Sequence, residues 1–338
     1  MKKNVTISDI ADALNLSRNT VSKALNGKHV PAKTRNMVLH AAIEMGYRGY
    51  KFAAASEVSL GQKKFVILSS RLLMNINYYI SVLKGIEESL TNYDIELLQF
   101  NITNPDSFLK FKQYLKVNTV DGIICIEFFR PDYITELLEL EPNVIFLDFP
   151  LYNGVLDGKY DIILPESYHV VKNYCMKLIQ EDHCNTFGFV GDYRHCLSFY
   201  ERFTGMREAL FLSGLPIDLQ YSILNEDSAP YDSAALIKAL SELPALPDCF
   251  VAANDTIALN LLSALQHLKV SVPNKVKIIG FDNIAEIKRS NPPLTSVNVN
   301  KTALGKKVIS QLLDRIANPT QANQTIYISS KIIVRSST

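Results

Sequence analysis

The stretch LSRNTVSKALNG, Leu16 to Gly27, places an arginine beside an asparagine and follows them with a serine and a lysine. An arginine side chain can donate two hydrogen bonds to the edge of a guanine, and an asparagine can pair in the same two-pronged way with an adenine. Serine and lysine side chains are typical contacts to phosphate oxygens. These residue types could therefore read a DNA sequence, provided that one helix carries them on one exposed face.

Three helices are predicted around this stretch. Thr6 followed by Asp9 is typical of a helix start, and an apolar stripe follows at helical spacing: Ile7, Ile10, Ala11 and Leu14. Ser17 can cap a second helix, whose buried side is predicted to be Val21, Ala24 and Leu25. A third helix is predicted from about residue 31 to residue 45. Two short helices joined by a tight turn and closed by a third form the helix-turn-helix plan, in which the second helix enters the major groove.

In that plan Arg18 is expected to contact a guanine and Asn19 an adenine. Further DNA contacts, chiefly to phosphates, are expected from the other polar residues of the head: Thr6, Ser17, Ser22, Lys23, Asn26, Lys33 and Thr34. The alternative is that these residues form the ordinary solvated face of a small helical bundle.

The charge distribution favours the DNA-binding alternative. The 338-residue chain has a formal net charge of +1, but residues 1–64 contain 11 Lys or Arg and 4 Asp or Glu, a net charge of +7. The remainder is therefore acidic. A small basic head on an acidic body indicates that the head meets a polyanion and the body does not.

The head closely resembles the DNA-binding domain of the LacI/GalR family of bacterial repressors. The segments that carry the resemblance are VTISDIADALNLSRNTVSKALNG, residues 5–27, and VPAKTRNMVLHAAIEMGY, residues 30–47. They match the family pattern V-T-I-x-D-[IV]-A, followed by [LV]-S-x-x-T-V-S-[RK]-x-L-N-G. The resemblance implies a transcriptional repressor that acts as a homodimer, or as a tetramer, on a pseudo-palindromic double-stranded DNA operator, because one head reads only a half-site.

The connector after the third helix departs from this family. Family members usually continue with Gly-Tyr-x-Pro-Asn and a hinge helix whose leucine enters the minor groove of the operator. Here Gly49-Tyr50 replaces Pro-Asn, and Ser56 stands at the position of the leucine. A serine cannot unstack a base step as an apolar wedge does. Two alternatives follow: a hinge that bends DNA less or uses Tyr50 or Phe52 instead, and a flexible tether without a DNA role.

From residue 64 onward, short apolar runs alternate with stretches of helical pattern. Such alternation predicts parallel sheets covered by helices on both faces, and two consecutive sets predict two doubly wound lobes with a cleft between them. The predicted strands are 65–70, 95–100, 122–128 and 143–149 in the first set, and 160–164, 186–191, 221–225, 249–254 and 276–283 in the second. The expected division is a head at 1–48, a hinge at 49–63 and a body at 64–338. Within the body, lobe one is expected at 64–158 plus 292–318 and lobe two at 159–291 plus 319–338.

Ligands of open α/β sheets bind beyond the carboxyl ends of the strands, and polar or aromatic residues occupy those positions here: Tyr78, Tyr79, Asp148, Arg202, Tyr231, Asn254, Asp255, Asp282 and Asn283. Carboxylates, amides and a guanidinium offer paired hydrogen bonds to vicinal hydroxyls, and tyrosines offer flat apolar faces. This mixture suits a small polar effector such as a sugar. The alternative for each residue is a structural role, as a cap, in a salt bridge or in the packing between lobes.

The family resemblance continues through the body, which is similar to a periplasmic sugar-binding protein. It rests on FYERFTGMREAL (199–210), FVAANDTIALNLLSAL (250–265) and KIIGFDN (277–283), supported by PPLTSVNVN and the terminal IIVRSST. It implies effector contacts from Arg202, Asn254 and Asp282, and also from Asp148, Ser198 and Tyr231. The loop SSRLLMNINYY, residues 69–79, is longer and more apolar than the D-x-x-N-P-F-F of the family, so the identity of the effector does not follow from the resemblance.

Other classes of protein are disfavoured by absent motifs. The chain has no GxGxxG after a strand, no Walker motif and no GxSxG elbow, so neither catalysis nor a cofactor is expected. The start MKKNVTISDI lacks a signal-peptide core, and no apolar run approaches the roughly 18–20 residues of a membrane span. The five scattered cysteines indicate reduced thiols of a cytoplasmic protein without a metal site. The alternatives left open are a regulator of the same kind that responds to a phosphorylated metabolite through Arg71 or to a partner protein, and a carbohydrate-active enzyme.

Overall fold

The structure is a computed structural model that describes residues 5–25, 63–71, 77–91, 93–140, 143–151, 158–225 and 231–338, together with residues 30, 31, 34, 37, 38, 41, 42, 45 and 73. Asn26, Lys33, most of the predicted third helix and the connector up to residue 62 lie outside the described residues. The expectations for the hinge, including those for Tyr50, Phe52 and Ser56, therefore remain predictions.

Two short helices open the described chain, α1 at Ile7–Leu14 and α2 at Arg18–Leu25. Thr6 and Asp9 form a capping box at the start of α1, in which the Thr6 backbone N–H donates to Asp9 Oδ2 over 2.7 Å. Asn15, with φ +53°, ends the helix in the left-handed region, which asparagine tolerates better than most residues. The Ser17 hydroxyl accepts a hydrogen bond from the Thr20 backbone N–H over 3.0 Å at the start of α2. Both predicted helix starts are confirmed.

The head has a compact apolar core of its own. Residues 34, 37, 38, 41 and 42 are helical and supply its third side. The buried side chains are Ile10 and Ala11 of the α1 stripe, the predicted Val21, Ala24 and Leu25 of α2, and Val38, Ala41 and Ala42 of the third helical segment. Because these residues fix the angle between α1 and α2, they also fix the exposed face of α2.

The first lobe is built on a six-stranded parallel sheet in the order β10-β5-β4-β3-β1-β2. Its strands are β1 at Lys63–Ser69, β2 at Ile95–Asn101, β3 at Gly122–Ile126, β4 at Val144–Leu147, β5 at Tyr160–Pro165 and β10 at Thr325–Ile328. The strands β1 and β3 are almost entirely buried, as expected of parallel strands covered on both faces.

Helices cover both faces of this sheet: α3 at Asn77–Leu90, α4 at Pro105–Val117, α5 at Pro131–Leu140 and α10 at Lys301–Ala317. The helices α3 and α10 pack closely because glycines face each other at their crossing. A Cβ atom added to Gly85 would lie 2.2 Å from the Thr302 carbonyl oxygen, and one added to Gly305 would lie 2.1 Å from the Val82 carbonyl oxygen. Any larger residue at either position would force the two backbones apart.

The second lobe is built on a five-stranded sheet in the order β11-β9-β8-β7-β6, in which only the β11–β9 pair is antiparallel. Its strands are β6 at Phe187–Val190, β7 at Cys249–Ala252, β8 at Lys277–Asp282, β9 at Thr295–Asn298 and β11 at Lys331–Ile333. Its helices are α6 at Tyr168–Asp182, α7 at Leu197–Leu212, α8 at Ser233–Glu242 and α9 at Asp255–His267.

The chain crosses between the lobes three times, and the crossings correct the expected lobe boundaries. Strand β5 belongs to the first sheet and not to the start of the second, β9 belongs to the second sheet, and β10 returns to the first. The physical reason is pairing: β5 pairs in parallel with β4 along residues 160–163, which a boundary at residue 158 would have separated. The crossings lie at 166–167, 299–300 and 329–330.

One predicted strand does not form. Residues 221–225 instead follow a 3₁₀ turn at Leu219–Tyr221 and contribute a single bridge, between Ile223 and Val190. The segment is apolar because Ile223 is buried beside β6, so burial with a single bridge, and not a full strand, explains the pattern that predicted a strand.

A buried ion pair lies beneath the first sheet. The Arg315 guanidinium on α10 and the Asp161 carboxylate on β5 are both fully buried and form a two-pronged pair, with Arg315 Nε 2.8 Å from Asp161 Oδ2. Asp161 also accepts hydrogen bonds from the Gln311 side chain, over 3.0 Å, and from the Gln324 backbone, over 2.7 Å. The pair thereby joins α10, β5 and the segment that leads into β10.

Within the described ranges, none of the helices combines the length and apolar character that crossing a bilayer would require. The same residues contain no group of three or more His, Cys, Asp or Glu placed to hold a metal ion. All five cysteines are buried free thiols.

Candidate effector cavity and DNA-reading helix

Helix α2 presents two contrasting faces. Arg18, Asn19 and Lys23 are exposed, whereas Val21 and Ala24 are buried in the core of the head. Ser22 is half-buried. Arg18 and Asn19 occupy the first turn of the helix, the part that approaches base edges in a helix-turn-helix domain. The predicted DNA-reading residues of α2 therefore share one accessible face.

A cavity of about 460 Å³ lies between the two lobes, at the carboxyl ends of the strands. We call it the effector cavity. Its volume is within the range of about 300–1,000 Å³ typical of small-molecule sites. Seven of the eight residues predicted to bind an effector line it: Tyr78, Tyr79, Asp148, Ser198, Arg202, Asn254 and Asp282.

Tyr231 is the exception, and its contact with the effector remains a prediction. It does not line the effector cavity. Its hydroxyl donates to the Asn225 carbonyl, and its own carbonyl accepts from the Asn260 side chain over 2.9 Å. These bonds hold it in the approach to α8, outside the cavity. The two other strand-end candidates, Asp255 and Asn283, also lie outside the cavity lining.

Arg202 is the central cation of the effector cavity. The residue is only 4% exposed, and its guanidinium lies 3.6 Å from the centre of the Phe281 ring and 5.0 Å from that of Phe199. One terminal nitrogen donates to the Ala253 carbonyl and the other to the Ser198 hydroxyl. Its Nε has no hydrogen-bond partner among the described residues. A buried donor left unpaired costs about 1–3 kcal/mol.

Asp282 supplies the matching acceptor. Both Asp282 and Asn283 have positive φ, +106° and +52°, at the end of β8. In the part of the chain that the structure describes, the Asp282 carboxylate has no hydrogen-bond partner; only its backbone carbonyl is engaged, by Lys301. Burial raises the pKa of Asp282 to about 6, although the nearby charges of Arg202 and Lys301 act in the opposite direction. An unpartnered carboxylate on a strained turn is typical of a binding residue.

Asp255 holds this turn in place from behind. Its carboxylate accepts from the Ile284 backbone N–H over 2.9 Å and from the Ser296 hydroxyl over 2.7 Å. Burial raises the pKa of Asp255 to about 7, and the charge of Asp282 adds to the rise. Asp255 is thus a positioning residue, although its place after a strand resembles that of a ligand contact.

Asp148 and Ser198 join the two lobes across the effector cavity. Asp148 follows β4 of the first lobe and has φ +66°. Its carboxylate accepts from the backbone N–H of Phe149, over 2.7 Å, and from the backbone N–H and hydroxyl of Ser198 at the start of α7. This bond pattern makes Asp148 and Ser198 a contact between lobes. Asn254 similarly caps α9, its side-chain oxygen accepting from the Ile257 N–H over 2.9 Å.

The first lobe contributes tyrosines and an acidic residue that the sequence did not single out. Tyr78 and Tyr79 lie in the first turn of α3, not in the preceding loop as predicted. The Tyr79 hydroxyl donates to the Glu127 carboxylate, which also lies 3.5 Å from Arg71 Nε. Burial and the charge of Glu127 raise the pKa of Tyr79 well above its ordinary value. The predicted strand 122–128 included Glu127, whereas β3 ends at Ile126. With the strand end at Ile126, Glu127 would have been found as a polar residue directly after a parallel strand.

The lining of the effector cavity is acidic overall. Four carboxylates, those of Glu127, Asp148, Asp282 and Glu286, face two guanidinium groups, those of Arg71 and Arg202. Aromatic rings from Tyr78, Tyr79 and Phe199 complete the wall. Because the carboxylates outnumber the cations, the cavity suits a neutral ligand with many hydroxyl groups better than an anion.

Two family models match the chain. One, described as bacterial regulatory proteins, lacI family, covers residues 6–49, and one described as a periplasmic binding protein-like domain covers residues 177–338. Together they account for more than half of the chain, and they follow each other in the same order as the head and the body of the structure. The chain belongs to the LacI family of bacterial transcriptional regulators. Members of this family are DNA-binding regulators and not enzymes.

Full-length relatives and solved structures agree with membership of the LacI family. The chain is 28% identical over 336 residues to the HTH-type transcriptional repressor PurR of Actinobacillus pleuropneumoniae serotype 3, strain JL03, with 98% of each chain covered. It matches the structure of a transcriptional regulator CelR–cellobiose complex with a TM-score of 0.70, 22% identity and coverage of 99% and 100%. It also matches the lac repressor dimer bound to operator and the anti-inducer ONPF, with a TM-score of 0.66, 18% identity and 99% coverage of both chains. These two structures share the fold of this chain.

Proposed function

We propose that this LacI-family regulator is a repressor whose affinity for its operator is controlled by a neutral, polyhydroxylated effector, a sugar, bound in the effector cavity. Effector binding changes the angle between the two lobes and, through it, the spacing of two heads in a homodimer. A coupling free energy of about 1–3 kcal/mol is typical of such linked sites.

One observation carries the choice of effector. Arg202 and Asp282 both line the cavity, and neither Arg202 Nε nor the Asp282 carboxylate has a hydrogen-bond partner among the described residues. A donor and an ionised acceptor in the same cavity match the hydroxyl groups of a sugar, each of which can both donate and accept. The tyrosines of the first lobe add the apolar surface against which a sugar ring can pack.

The charge of the lining favours a neutral sugar over a phosphorylated metabolite. Arg71, the residue considered for a phosphate contact, is already within 3.5 Å of the Glu127 carboxylate. A phosphate bound there would meet that carboxylate at short range, and repulsion between like charges would oppose its binding. The relatives give independent support, since one matched regulator is described in complex with cellobiose.

The proposal for the DNA site is a pseudo-palindrome read by two copies of α2. Arg18 and Asn19 supply the base contacts, and the exposed Lys23 contacts phosphate. Thr6, Ser17, Ser22 and Thr34 are further contacts in the described part of the head. The hydroxyls of Thr6 and Ser17 are hydrogen-bonded within their own helix caps. Contacts from these two residues are therefore expected to contribute less to DNA binding than the contact from Lys23. A matched relative of the same fold is described as a dimer bound to operator.

The first experiment is capture of genomic DNA fragments by the purified protein, followed by sequencing, with and without a panel of sugars and sugar phosphates. We expect one pseudo-palindromic sequence in the retained fragments and a change in retention with a neutral sugar. Salt-sensitive retention without a preferred sequence would contradict the operator proposal. A response to sugar phosphates alone would contradict the proposed effector class.

Replacing Arg18 with alanine is expected to relax specificity at one base pair of each half-site by about 1–3 kcal/mol. The reason is that two hydrogen bonds to one guanine are lost while the phosphate contacts remain. Binding to a complete set of single-base operator variants measures this directly.

Lys23→Ala is the matched control for Arg18→Ala because Lys23 lies on the same helix and is also exposed. It is expected to weaken binding to all sequences by a similar factor. The slope of the logarithm of the binding constant against the logarithm of the salt concentration is expected to fall by about one, as for the loss of one phosphate contact. If Arg18→Ala behaved in the same uniform way, Arg18 would be a phosphate contact and its proposed role would be wrong.

Effector affinity is expected to be constant above about pH 7 and to decrease as the pH falls below about 6. Asp282 has a pKa of about 6, and protonation removes the acceptor that the effector uses. A ligand that binds only the ionised form loses about tenfold in affinity per pH unit below that pKa. Titration calorimetry between pH 5 and pH 8 measures the profile, and affinity that rises toward acidic pH would exclude Asp282 as the acceptor.

A further inference from the structure

A second cavity of about 280 Å³ lies next to the effector cavity, at the carboxyl ends of β1 and β3 and the start of α5. The two cavities share three lining residues, Arg71, Glu127 and His195. The volume of the second cavity alone falls just below the range of about 300–1,000 Å³ for small-molecule sites. Its size and its shared wall indicate an extension of the effector cavity and not an independent site.

The wall between the cavities is polar and held in position. The Glu127 carboxylate accepts from the Tyr79 hydroxyl on one side and lies 3.5 Å from Arg71 Nε on the other. Glu127 itself has φ +53°, an uncommon conformation for a residue other than glycine. A carboxylate has about four lone-pair sites, so Glu127 can accept further hydrogen bonds from hydroxyls in either cavity.

The far side of the second cavity is aromatic and electrically balanced. The Phe129 ring is half-buried and packs edge-on against the His195 ring, with 5.0 Å between their centres. Arg130 lies over the Tyr133 ring at 4.2 Å and is paired with Asp132. Because both arginines of this cavity have carboxylate partners, the site has little net attraction for a phosphate and offers flat apolar surface instead.

We propose that the effector is at least two sugar rings long and that its second ring occupies this second cavity. The first ring binds Arg202 and Asp282, the linkage passes the Glu127–Arg71 wall, and the second ring packs on Phe129. This inference rests on the proposed function, since it takes the first ring to be a sugar in the effector cavity. It assigns an oligosaccharide, and not a monosaccharide, as the class of ligand.

The test is titration calorimetry of the full chain with glucose, galactose and fructose, and with cellobiose, maltose, lactose, melibiose and sucrose. At least one disaccharide is expected to bind tenfold or more tightly than each of its constituent monosaccharides. Phe129→Ala is expected to remove most of that gain while leaving the affinity for the monosaccharides unchanged. Phe211→Ala is the matched control, because Phe211 is 67% exposed and lines neither cavity.

Each outcome has a distinct meaning. A disaccharide that binds no more tightly than its monosaccharides would overturn the two-ring proposal and leave the proposed function intact. The two-ring proposal also fails if the disaccharide is preferred but Phe129→Ala does not affect the preference. Absence of binding by every sugar, under conditions in which operator fragments are still retained, would overturn the proposed effector class and the two-ring proposal with it. Unchanged monosaccharide binding by Phe129→Ala also shows that the variant is folded.

Discussion

Replacing Asp282 with asparagine is expected to shift the effector response to much higher effector concentrations while leaving the operator affinity of the effector-free protein unchanged. The carboxylate has no hydrogen-bond partner among the described residues, so its loss leaves no partner in the protein unpaired. A hydrogen bond to a charged group contributes about 1.5–3 kcal/mol, and effector binding is therefore expected to weaken roughly 10- to 150-fold. Calorimetry measures the affinity, and operator binding with and without effector measures the response.

The control for Asp282→Asn is Asp314→Asn, an exposed aspartate on α10 that lies outside both cavities. It is expected to keep the affinity and the response of the unmodified protein. An unchanged response in the Asp282 variant would place the effector elsewhere. A loss of operator binding without effector would instead mean that Asp282 sets the angle between the lobes directly.

The second large effect concerns stability. Replacing Arg315 with methionine is expected to lower the free energy of unfolding by about 3–5 kcal/mol, because it leaves the Asp161 carboxylate buried without its cation. Both residues are fully buried, and the remaining partners of Asp161 are the neutral groups of Gln311 and Gln324. Urea-induced unfolding followed by circular dichroism measures the change.

A matched control for Arg315→Met lies on the same helix. Lys306 also forms an ion pair, with Glu88 at 2.9 Å, but its side chain is 53% exposed. Pairs between exposed charges are screened by water and contribute little to stability, so Lys306→Met is expected to leave the free energy of unfolding nearly unchanged. The double variant Asp161→Leu with Arg315→Met is expected to be more stable than Arg315→Met alone, because no buried charge remains. A single variant as stable as the unmodified protein would show that the Arg315–Asp161 pair does not stabilise the fold.

The sequence was most informative where local rules decide the structure. The Thr6 and Ser17 caps and the buried side of α2 follow from residue types within one or two turns, and the structure has them as predicted. Such features depend on hydrogen bonds and burial over a few residues, and a single sequence contains all of that information.

The division into lobes was not predictable in the same way. The strand β5 has the same apolar pattern whichever sheet it joins, and its place beside β4 is decided by pairing between distant segments. The short strands β9, β10 and β11 were also not predicted, and the chain crosses between the two lobes after β9 and again after β10. Period-2 and period-3.6 patterns give the type of an element but not its partner.

The candidate effector residues show both the strength and the limit of the strand-end rule. The rule found Asp148, Asn254 and Asp282 because polar residues directly after parallel strands meet at one edge. It could not separate Asp255, which holds the turn from behind, from Asp282, which faces the cavity. That distinction depends on the positive φ angles of a single turn.

The interleaved chain has a consequence for biosynthesis. The first lobe emerges from the ribosome early, but its α10 and β10 are encoded near the end of the chain, at 301–317 and 325–328. At about 5–20 residues per second, the roughly 160 residues between β5 and β10 take about 8–30 s to translate. During that interval the outer edge of β5 lacks its neighbour, and an open strand edge invites pairing with other chains. The lobe that begins to form first is therefore the one whose completion waits longest, and the nascent chain needs protection there from aggregation.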